Sequence, residues 1–406
     1  MTSLPDGRRY RVLILGSHPV QYAAQFLHQL AQHPLVDLQV AYCSLFGAQG
    51  GLDPEFGIEV QWDVPLLEGY PWVQIPNRSL RPGLGRFWGL FNPGLWKLIR
   101  EEHFDAIVCH VGYVFSSFWI AVAAAKSSGT PFLFGTDATT MRPRLAARWK
   151  TWVKPRVWRR VFGLADQLLA PSSGTVALFR EMGFPAEKIS LTPFAVDNDW
   201  WTRQAALVNR SAVRASWDIP ENGKVILFCA KLQPWKRPQD VLRAFVQANL
   251  PDTYVVFAGQ GPLRADLEGE ARERGISSRV RVLGFVNQSQ LPATYRGADV
   301  FVLPSEYDPC PVVVCEAMLC GLPVILSDQI RGRFDLVLPG KTGFIYPCGD
   351  VNSLAAILRT LVSNPEEISR LSAAARERMK TWSPKETVEG TVKAIEQAVR
   401  RGKGGL

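Results

Sequence analysis

Short apolar runs alternate with longer helical segments along nearly the whole chain, and this alternation constrains the fold more than any other feature. Such runs, separated by segments of helical length, are typical of buried parallel strands in βαβ units. The pattern starts afresh at Lys224, after a stretch with no clear strand. The runs before and after that restart include RVLILG, DAIVCHVG, PFLFGTD and ADQLLAPS, then KVILFCAKL, TYVVFAGQG, VRVLGFV, DVFVLPS and PVILSD. The sequence therefore predicts an α/β protein with two doubly wound parallel sheets.

The chain length agrees with two domains, because 406 residues exceed what one hydrophobic core usually supports. The tail beyond Pro384 has helical character and is expected to pack back on the first domain. Two such domains facing a shared cleft would place ligand sites in the loops at the strand ends. The predicted divisions are an N-terminal domain over residues 1–197, a linker over 198–222, a C-terminal domain over 223–383 and a final helix over 384–406.

Composition narrows the class of protein. The apolar fraction of 47% and the charged fraction of 20% are typical of a globular chain. Seven cysteines show no C-x-x-C pair and lie mostly in apolar runs, so we expect reduced thiols and no structural metal. The first apolar run is too short for a signal peptide or a membrane span, so we expect a cytoplasmic protein.

A basic segment carries much of the formal charge of +9, because Met141 to Arg160 contains eight Lys or Arg and no acid. Basic residues interleaved with tryptophans are typical of contact with an anionic membrane surface or a nucleic acid. The alternative is a solvated helix whose tryptophans pack inward. The predicted contact residues are Arg148, Trp149, Lys150, Trp152, Lys154, Arg156, Trp158, Arg159 and Arg160.

Candidate donor-binding residues follow the strands of the second half. Lys231 and Lys236 come just after KVILFCA, and cations beside a helix start are suited to a diphosphate, although an exposed basic loop is the alternative. Gly259 and Gly261 permit a tight turn and a close backbone approach, because glycine has no side chain. A lone G-x-G is nevertheless weak evidence for a donor-binding site. Another strand end supplies Phe285 and Val286, which could form one wall of a base pocket or simply pack.

The segment SEYDPCPVVVCEAMLCGLPVILSD contains two acids around an apolar run. Pro311 suits the first turn of a helix, so the sequence predicts a helix over residues 312–319 with Asp308 just before it. Glu316 then lies inside an apolar helix, where a carboxylate needs a hydrogen-bond partner such as a sugar hydroxyl. Backbone amides or a lysine are the alternative partners.

The order of these motifs resembles the carboxyl half of retaining GT-B glycosyltransferases, specifically the large family four, over roughly 150 residues. In that family two glutamates, separated by seven residues, bracket the donor sugar nucleotide. The resemblance places Asp308 and Glu316 at these positions, rather than Glu306. It implies that Asp308 contacts the transferred sugar, that Glu316 binds the ribose, and that Lys231 and Lys236 neutralise the diphosphate. The backbone of Val312 and Val313 would add amides at the helix start, and Pro311 is a further donor-binding candidate beside them.

The amino-terminal half resembles the family more loosely. Gly16 and Ser17 occupy its first strand-to-helix turn, without the usual paired glycines. His110 matches the histidine of its D-x-x-x-x-H strand end, and Asp137 stands where His-Gly is common. The resemblance implies that His110 lies near the reacting carbon, while His18 is a less certain candidate. A lone histidine with a structural role is the alternative.

The expected function is transfer of a sugar from a UDP- or GDP-linked donor to an acceptor hydroxyl, retaining the anomeric configuration and using no metal or cofactor. The resemblance implies acceptors in polysaccharide, lipopolysaccharide or glycolipid assembly, with a peripheral position on the inner membrane face. A catalytically silent GT-B scaffold is the main alternative, while a GT-B phosphorylase or an inverting transferase fits the motifs less well. Nucleic-acid binding lacks a reader motif. Whether the chain is a monomer or a dimer stays open.

Overall fold

A computed structural model describes residues 7–53, 57–141 and 148–403, with the side chains of residues 52–53, 148–153 and 403 outside that description. The chain forms two compact units. The first comprises residues up to Gly50, Pro65–Phe194 and the residues from Pro384 onward, and the second comprises Gly51–Val64 and Ala195–Ser383. Elements are numbered in chain order across both units.

The sheet of unit 1 is entirely parallel and has the strand order β5-β2-β1-β6-β7-β8-β9. Its order reverses between β1 and β6, which makes the carboxyl ends of these two strands the switch point of a doubly wound sheet. The strands are β1 Tyr10–Gly16, β2 Val36–Tyr42, β5 Trp72–Gln74, β6 Ala106–Cys109, β7 Phe132–Gly135, β8 Gln167–Ala170 and β9 Ile189–Leu191.

Helices cover both faces of this sheet because alternate strand residues point to opposite sides. Leu13 and Leu15 belong to one core cluster, whereas Val12 and Ile14 belong to the other. Helices α2 to α5 pack in the first cluster, and α1 and α15 in the second. The helices are α1 Gln21–Ala31, α2 Gly94–Glu101, α3 Ser116–Ser128, α4 Arg148–Gly163, α5 Ser173–Glu181 and α15 Pro384–Lys403, with 3-10 turns at Phe87–Gly89 and Ala186–Lys188.

Unit 2 contains a six-stranded parallel sheet of order β12-β11-β10-β13-β14-β15. This is the 3-2-1-4-5-6 order of a dinucleotide-binding fold, and its switch point lies between β10 and β13. A separate antiparallel hairpin, β3 Gly51–Asp53 with β4 Ile58–Val60, also belongs to this unit. The sheet strands are β10 Lys224–Cys229, β11 Thr253–Ala258, β12 Val280–Gly284, β13 Val300–Leu303, β14 Val324–Ser327 and β15 Gly343–Tyr346.

The helices of unit 2 alternate with these strands. They are α6 Asn198–Ala206, α7 Arg210–Ser216, α8 Pro238–Ala248, α9 Arg264–Glu273, α10 Leu291–Gly297, α11 Val312–Leu319, α12 Arg333–Leu336, α13 Val351–Val362 and α14 Pro365–Met379, with 3-10 turns at Pro234–Lys236, Ser277–Arg279 and Gln288–Gln290.

Two boundaries differ from the sequence prediction. The expected linker at 198–222 is largely helical, and it packs on unit 2: Trp201 is buried, with its ring centroid 5.8 Å from that of Tyr295. Residues 51–64, expected in the N-terminal domain, group with unit 2 because Asp63 and Gln61 hydrogen-bond to the loop after β12. Local sequence could not predict the packing of Trp201 on Tyr295 or the hydrogen bonds of Gln61 and Asp63, because both join segments far apart in the chain.

Candidate active site

The loops after β10 and β13 meet at the switch point of the unit 2 sheet. Lys231 lies two residues after β10 and is half-buried, while Asp308 follows β13 and is buried. Parallel strands end at one edge of a sheet, so the topology brings these loops together although 77 residues separate the two. The predicted donor residues of this unit therefore gather at one edge.

Close backbone contacts shape this edge. The amide of Leu232 donates to the carbonyl of Gln260 at 3.0 Å, and the amide of Gly259 donates to the carbonyl of Gly284 at 2.7 Å. A Cβ on Gly259 would lie 2.0 Å from the Ala230 carbonyl oxygen, and one on Gly261 would lie 2.6 Å from the Leu232 oxygen. The close approach of these loops therefore requires glycine at both positions. The isolated G-x-G pattern in the sequence could not establish this requirement.

An ion pair joins two of the predicted donor residues. Nζ of Lys236 lies 2.6 Å from Oδ2 of Asp308, and their side chains are only 17% and 10% exposed. The neighbouring Arg237 instead pairs with Glu306 and Asp240, each at 2.6 Å. The spacing in the sequence favoured Asp308 over Glu306 as the acid of the donor site. In the structure Asp308 pairs with Lys236, whereas Glu306 pairs with Arg237. A buried pair of this kind fixes both side chains, because either charge alone would be costly.

Glu316 is buried in α11, and its carboxylate accepts a hydrogen bond from the Tyr295 hydroxyl at 2.8 Å. Burial raises the pKa of Glu316 to about 7, and the bond from Tyr295 opposes that rise. The partner that the sequence required is thus a tyrosine of α10. Sequence reasoning missed Tyr295, since nothing in LPATYRGADV distinguishes it from a core aromatic.

Helix α11 spans Val312–Leu319, as predicted, with Pro311 as the residue before it. The amide of Val312 donates to the Cys310 carbonyl at 2.9 Å, so this amide already has an acceptor in this structure. Within the described residues, the Val313 amide has no such acceptor. Val313 therefore presents the better-placed amide at this helix start.

Phe285 and Val286 are half-buried in the loop after β12. The Phe285 ring lies 5.9 Å from the ring of Trp62, centroid to centroid, and Asn287 donates to the Gln61 carbonyl at 2.8 Å. Trp62 is a second residue that sequence reasoning missed, because it precedes Phe285 by more than 200 positions in a stretch with no strand pattern. The predicted base wall is thus an aromatic pair.

The switch point of unit 1 gathers a second set of predicted residues. The amide of His110 donates to the Leu15 carbonyl at 2.8 Å, which places it beside Gly16. A Cβ on Gly135 would lie 2.6 Å from Nδ1 of His110, so the glycine at the end of β7 makes room for the ring. Desolvation lowers the pKa of His110, so the neutral imidazole predominates at pH 7.

The remaining candidates of unit 1 lie near the same edge. Ser17 Oγ is 3.0 Å from Nδ1 of His18, whose ring makes an edge contact with Phe46. Asp137 is exposed two residues after β7. The contacts of His18 with Ser17 and Phe46 favour a local structural role for this histidine. Asp137, in contrast, is accessible to solvent.

The basic helix α4 differs from the expected surface stripe. Trp158 is buried, and its Nε1 donates to the Tyr113 hydroxyl at 2.6 Å, so the expected surface contact is wrong for this residue. Lys154 lies over the Trp158 ring at 4.0 Å, whereas Arg156, Arg159 and Arg160 are exposed. The side chains of Arg148, Trp149, Lys150 and Trp152 lie outside the described residues.

Five of the seven cysteines are buried and none forms a disulfide, in agreement with reduced thiols. In the described part of the chain, no three His, Cys, Asp or Glu side chains group closely enough to hold a metal ion. No helix there has both the length and the apolarity to cross a bilayer.

The chain is similar to known glycosyltransferases in sequence. The family "Glycosyl transferases group 1" matches residues 209–378, and "Glycosyl transferase 4-like domain" matches residues 8–195. The glycogen synthase of Mycobacterium tuberculosis is 26% identical over 70% of this chain and 66% of its own length. The D-inositol 3-phosphate glycosyltransferase of Streptomyces avermitilis is 28% identical over 77% of this chain and 68% of its own length.

Among solved structures, Anabaena Alr3699/HepE in complex with UDP superposes with a TM-score of 0.72 at 18% identity, covering 95% of this chain and 99% of that one. This likeness concerns the fold. Because the two family matches together span most of both units, the chain belongs to the GT-B glycosyltransferases of the family 4-like group.

Proposed function

We propose that this chain transfers a sugar from a nucleoside diphosphate sugar to an acceptor hydroxyl, with retention of anomeric configuration. The observation that carries the proposal is the gathering of the Lys236–Asp308 pair and Glu316 around the switch point of unit 2, where such sheets bind nucleotides. A protein of similar fold, Alr3699/HepE, has been solved with UDP and with UDP-glucose, which supports a nucleotide-sugar donor. We assign a UDP- or GDP-linked donor to this edge.

The reaction requires stabilisation of the negative charge that develops on the leaving group. Negative charge grows on the diphosphate as the anomeric bond breaks, and a fixed donor in a water-poor site can stabilise it by ~3 kcal/mol. Lys231, Lys236 and the Val313 amide are the donors that we assign to it. In the free protein Lys236 is held by Asp308, so a diphosphate would meet a cation already oriented and partly desolvated.

Asp308 and Glu316 take separate roles in the proposal. Asp308, held by Lys236, accepts hydrogen bonds from hydroxyls of the transferred sugar, and its shorter side chain relative to glutamate bears on which sugar fits. Glu316 accepts from the ribose hydroxyls. Hydrogen bonds from those hydroxyls favour the ionised carboxylate, so nucleotide binding is expected to lower the pKa of Glu316 from its value of about 7.

We assign the residues of the unit 1 edge to the acceptor. His110 is neutral at pH 7 and can orient a sugar hydroxyl through either ring nitrogen. Asp137 is an exposed carboxylate that can stabilise developing positive charge or hold the acceptor. The departing phosphate oxygen takes the acceptor proton on the same face, so the reaction needs no separate base and, in this proposal, no metal.

The acceptor class follows from relatives and from charge. Relatives are named glycogen synthase and D-inositol 3-phosphate glycosyltransferase, and WaaG is described as a glycosyltransferase involved in lipopolysaccharide biosynthesis. We propose a glycan or glycolipid acceptor, with the exposed arginines of α4 on an anionic inner membrane surface. Flotation with anionic and neutral liposomes tests this position: recovery only with anionic liposomes is expected, and equal recovery on both contradicts it.

The function itself is tested with a thermal-shift screen of UDP, GDP and their sugars on the full chain. We expect stabilisation by one nucleoside diphosphate and its sugars, followed by release of that nucleoside diphosphate when an acceptor is supplied. NMR of the product should show the same anomeric configuration as the donor. Stabilisation without turnover favours a silent scaffold, whereas no stabilisation by any nucleotide contradicts the donor assignment.

A further inference from the structure

A pocket of about 190 Å³ lies in unit 2 at the edge of the sheet opposite the candidate donor residues. Its wall includes Asp299, directly before β13, and Leu322, shortly before β14, so it borders the amino ends of these strands. The donor residues follow the carboxyl ends of the sheet strands. The pocket is therefore a separate place in the same unit, and nothing in the proposed reaction uses it.

The pocket has an excess of positive charge. Three arginines line it, Arg210, Arg296 and Arg376, against the single carboxylate of Asp299. That carboxylate is already committed: it accepts from Arg210 and Arg214 at 2.6 Å each, and from the Val225 amide at 2.8 Å. Two guanidinium groups therefore remain uncompensated by any acid of the wall.

Arg296 and Arg376 have donors left over. Nε of Arg296 is buried and has no hydrogen-bond partner among the described residues, while its Nη1 reaches only the Cys320 carbonyl, at 3.5 Å. Arg376 forms no ion pair within the described part of the chain. Buried polar groups in native proteins are nearly always paired, so the buried Nε of Arg296 is a donor that a ligand of this pocket could use.

Gly321 leaves the space that the guanidinium of Arg376 occupies. A Cβ on Gly321 would lie 2.1 Å from Nη1 of Arg376, and Gly321 has a φ of +84°. The turn between α11 and β14 thus requires glycine for its backbone, and the same glycine leaves room for the guanidinium above it.

We propose that this pocket binds a phosphate dianion, either inorganic phosphate or the phosphomonoester group of a small metabolite. Guanidinium forks match the oxygens of a tetrahedral phosphate, and two or three of them around one pocket supply both charge and directed donors. The pocket exceeds the volume of the ion alone, and Leu322 and Ile368 offer apolar wall to a carbon skeleton. This site is independent of the proposed transferase activity.

Calorimetric titration of sodium phosphate into the full chain, at constant ionic strength with NaCl, tests the proposal. We expect one saturable site with a Kd on the order of millimolar. Arg376→Ala removes an exposed side chain with no described ion pair and should weaken binding by about tenfold, the loss of one charge-assisted contact. Arg359→Ala, an exposed arginine of α13 away from the pocket, should leave the affinity unchanged.

Two further arms keep the result interpretable. Lys231→Ala should leave phosphate binding unchanged; if it abolishes binding while Arg376→Ala does not, phosphate binds at the donor edge and the proposal fails. Equal affinity in Arg376→Ala and wild type, or no saturable binding, also overturns it. Glycerol phosphate binding more tightly than inorganic phosphate would identify an organic ligand, and equal affinity would identify the free ion; both outcomes support the site.

Discussion

Replacing Glu316 by glutamine should stabilise the protein at alkaline pH while removing its transfer activity. The folded protein holds the pKa of Glu316 at about 7, against 4.5 for an unburied glutamate, because desolvation penalises the charged form. Between these values the folded state binds the proton that the unfolded state has lost. The contribution of Glu316 to stability therefore falls as pH rises from about 4.5 to about 7, and stays low above that.

The size of this effect follows from the difference between the two pKa values. At 1.36 kcal/mol per pKa unit, it amounts to about 3 kcal/mol at pH 8. Glutamine keeps an oxygen that can accept from Tyr295 but cannot ionise. Glu316→Gln should therefore match the wild type near pH 4.5 and exceed it at pH 8 by up to about 3 kcal/mol, or roughly 5–10 °C in the Tm of unit 2.

Paired thermal denaturation of both proteins from pH 4.5 to pH 8 measures the difference directly. Glu273→Gln, which changes an exposed glutamate of α9, is the matched control and should track the wild type throughout. A Glu316→Gln difference that stays constant with pH would refute the account of a buried, proton-holding carboxylate. So would a difference that grows toward acid.

Three other changes probe the remaining assignments. Gly135→Ala should push the His110 ring aside and lower the transfer rate by about 100-fold, since misplacement by about 1 Å can cost that much, whereas Gly163→Ala, which meets no atom within 4 Å, should leave it unchanged. Asp308→Asn should change the affinity for the nucleotide sugar, measured by calorimetry, more than the affinity for the bare nucleoside diphosphate, which senses Asp308 only through Lys236; equal changes for both would show that the carboxylate does not contact the sugar. Trp158→Phe should lower the free energy of unfolding by about 1–2 kcal/mol without changing liposome recovery, because its indole is part of the core.

The fold could be predicted because its signals are local. Runs such as RVLILG and KVILFC are apolar throughout, which requires cover on both faces and hence a parallel sheet with helices on each side. The start of α11 was equally local, since Pro311 fixes the backbone at that point. The spacing from Asp308 to Glu316 then placed both acids near the same strand end.

Contacts between distant segments could not be predicted. Tyr295 and Trp62 meet Glu316 and Phe285 only after the strands are assembled, and neither sequence neighbourhood differs from ordinary core or loop. The ion pair of Lys236 with Asp308 also depends on strand order. The burial of Trp158 could not be predicted either. A basic helix with aromatic residues has the same sequence pattern whether those residues face lipid or the core.

Calorimetric titration of UDP and of GDP into three proteins tests the central claim, that the edge of unit 2 binds the nucleoside diphosphate. The proteins are the wild type, Lys231→Ala, and Lys341→Ala as an exposed lysine of the same unit. We predict one site for one of the two nucleotides, at least about tenfold weaker in Lys231→Ala and unchanged in Lys341→Ala. Binding of neither nucleotide, or equal affinity in all three proteins, would contradict the assignment.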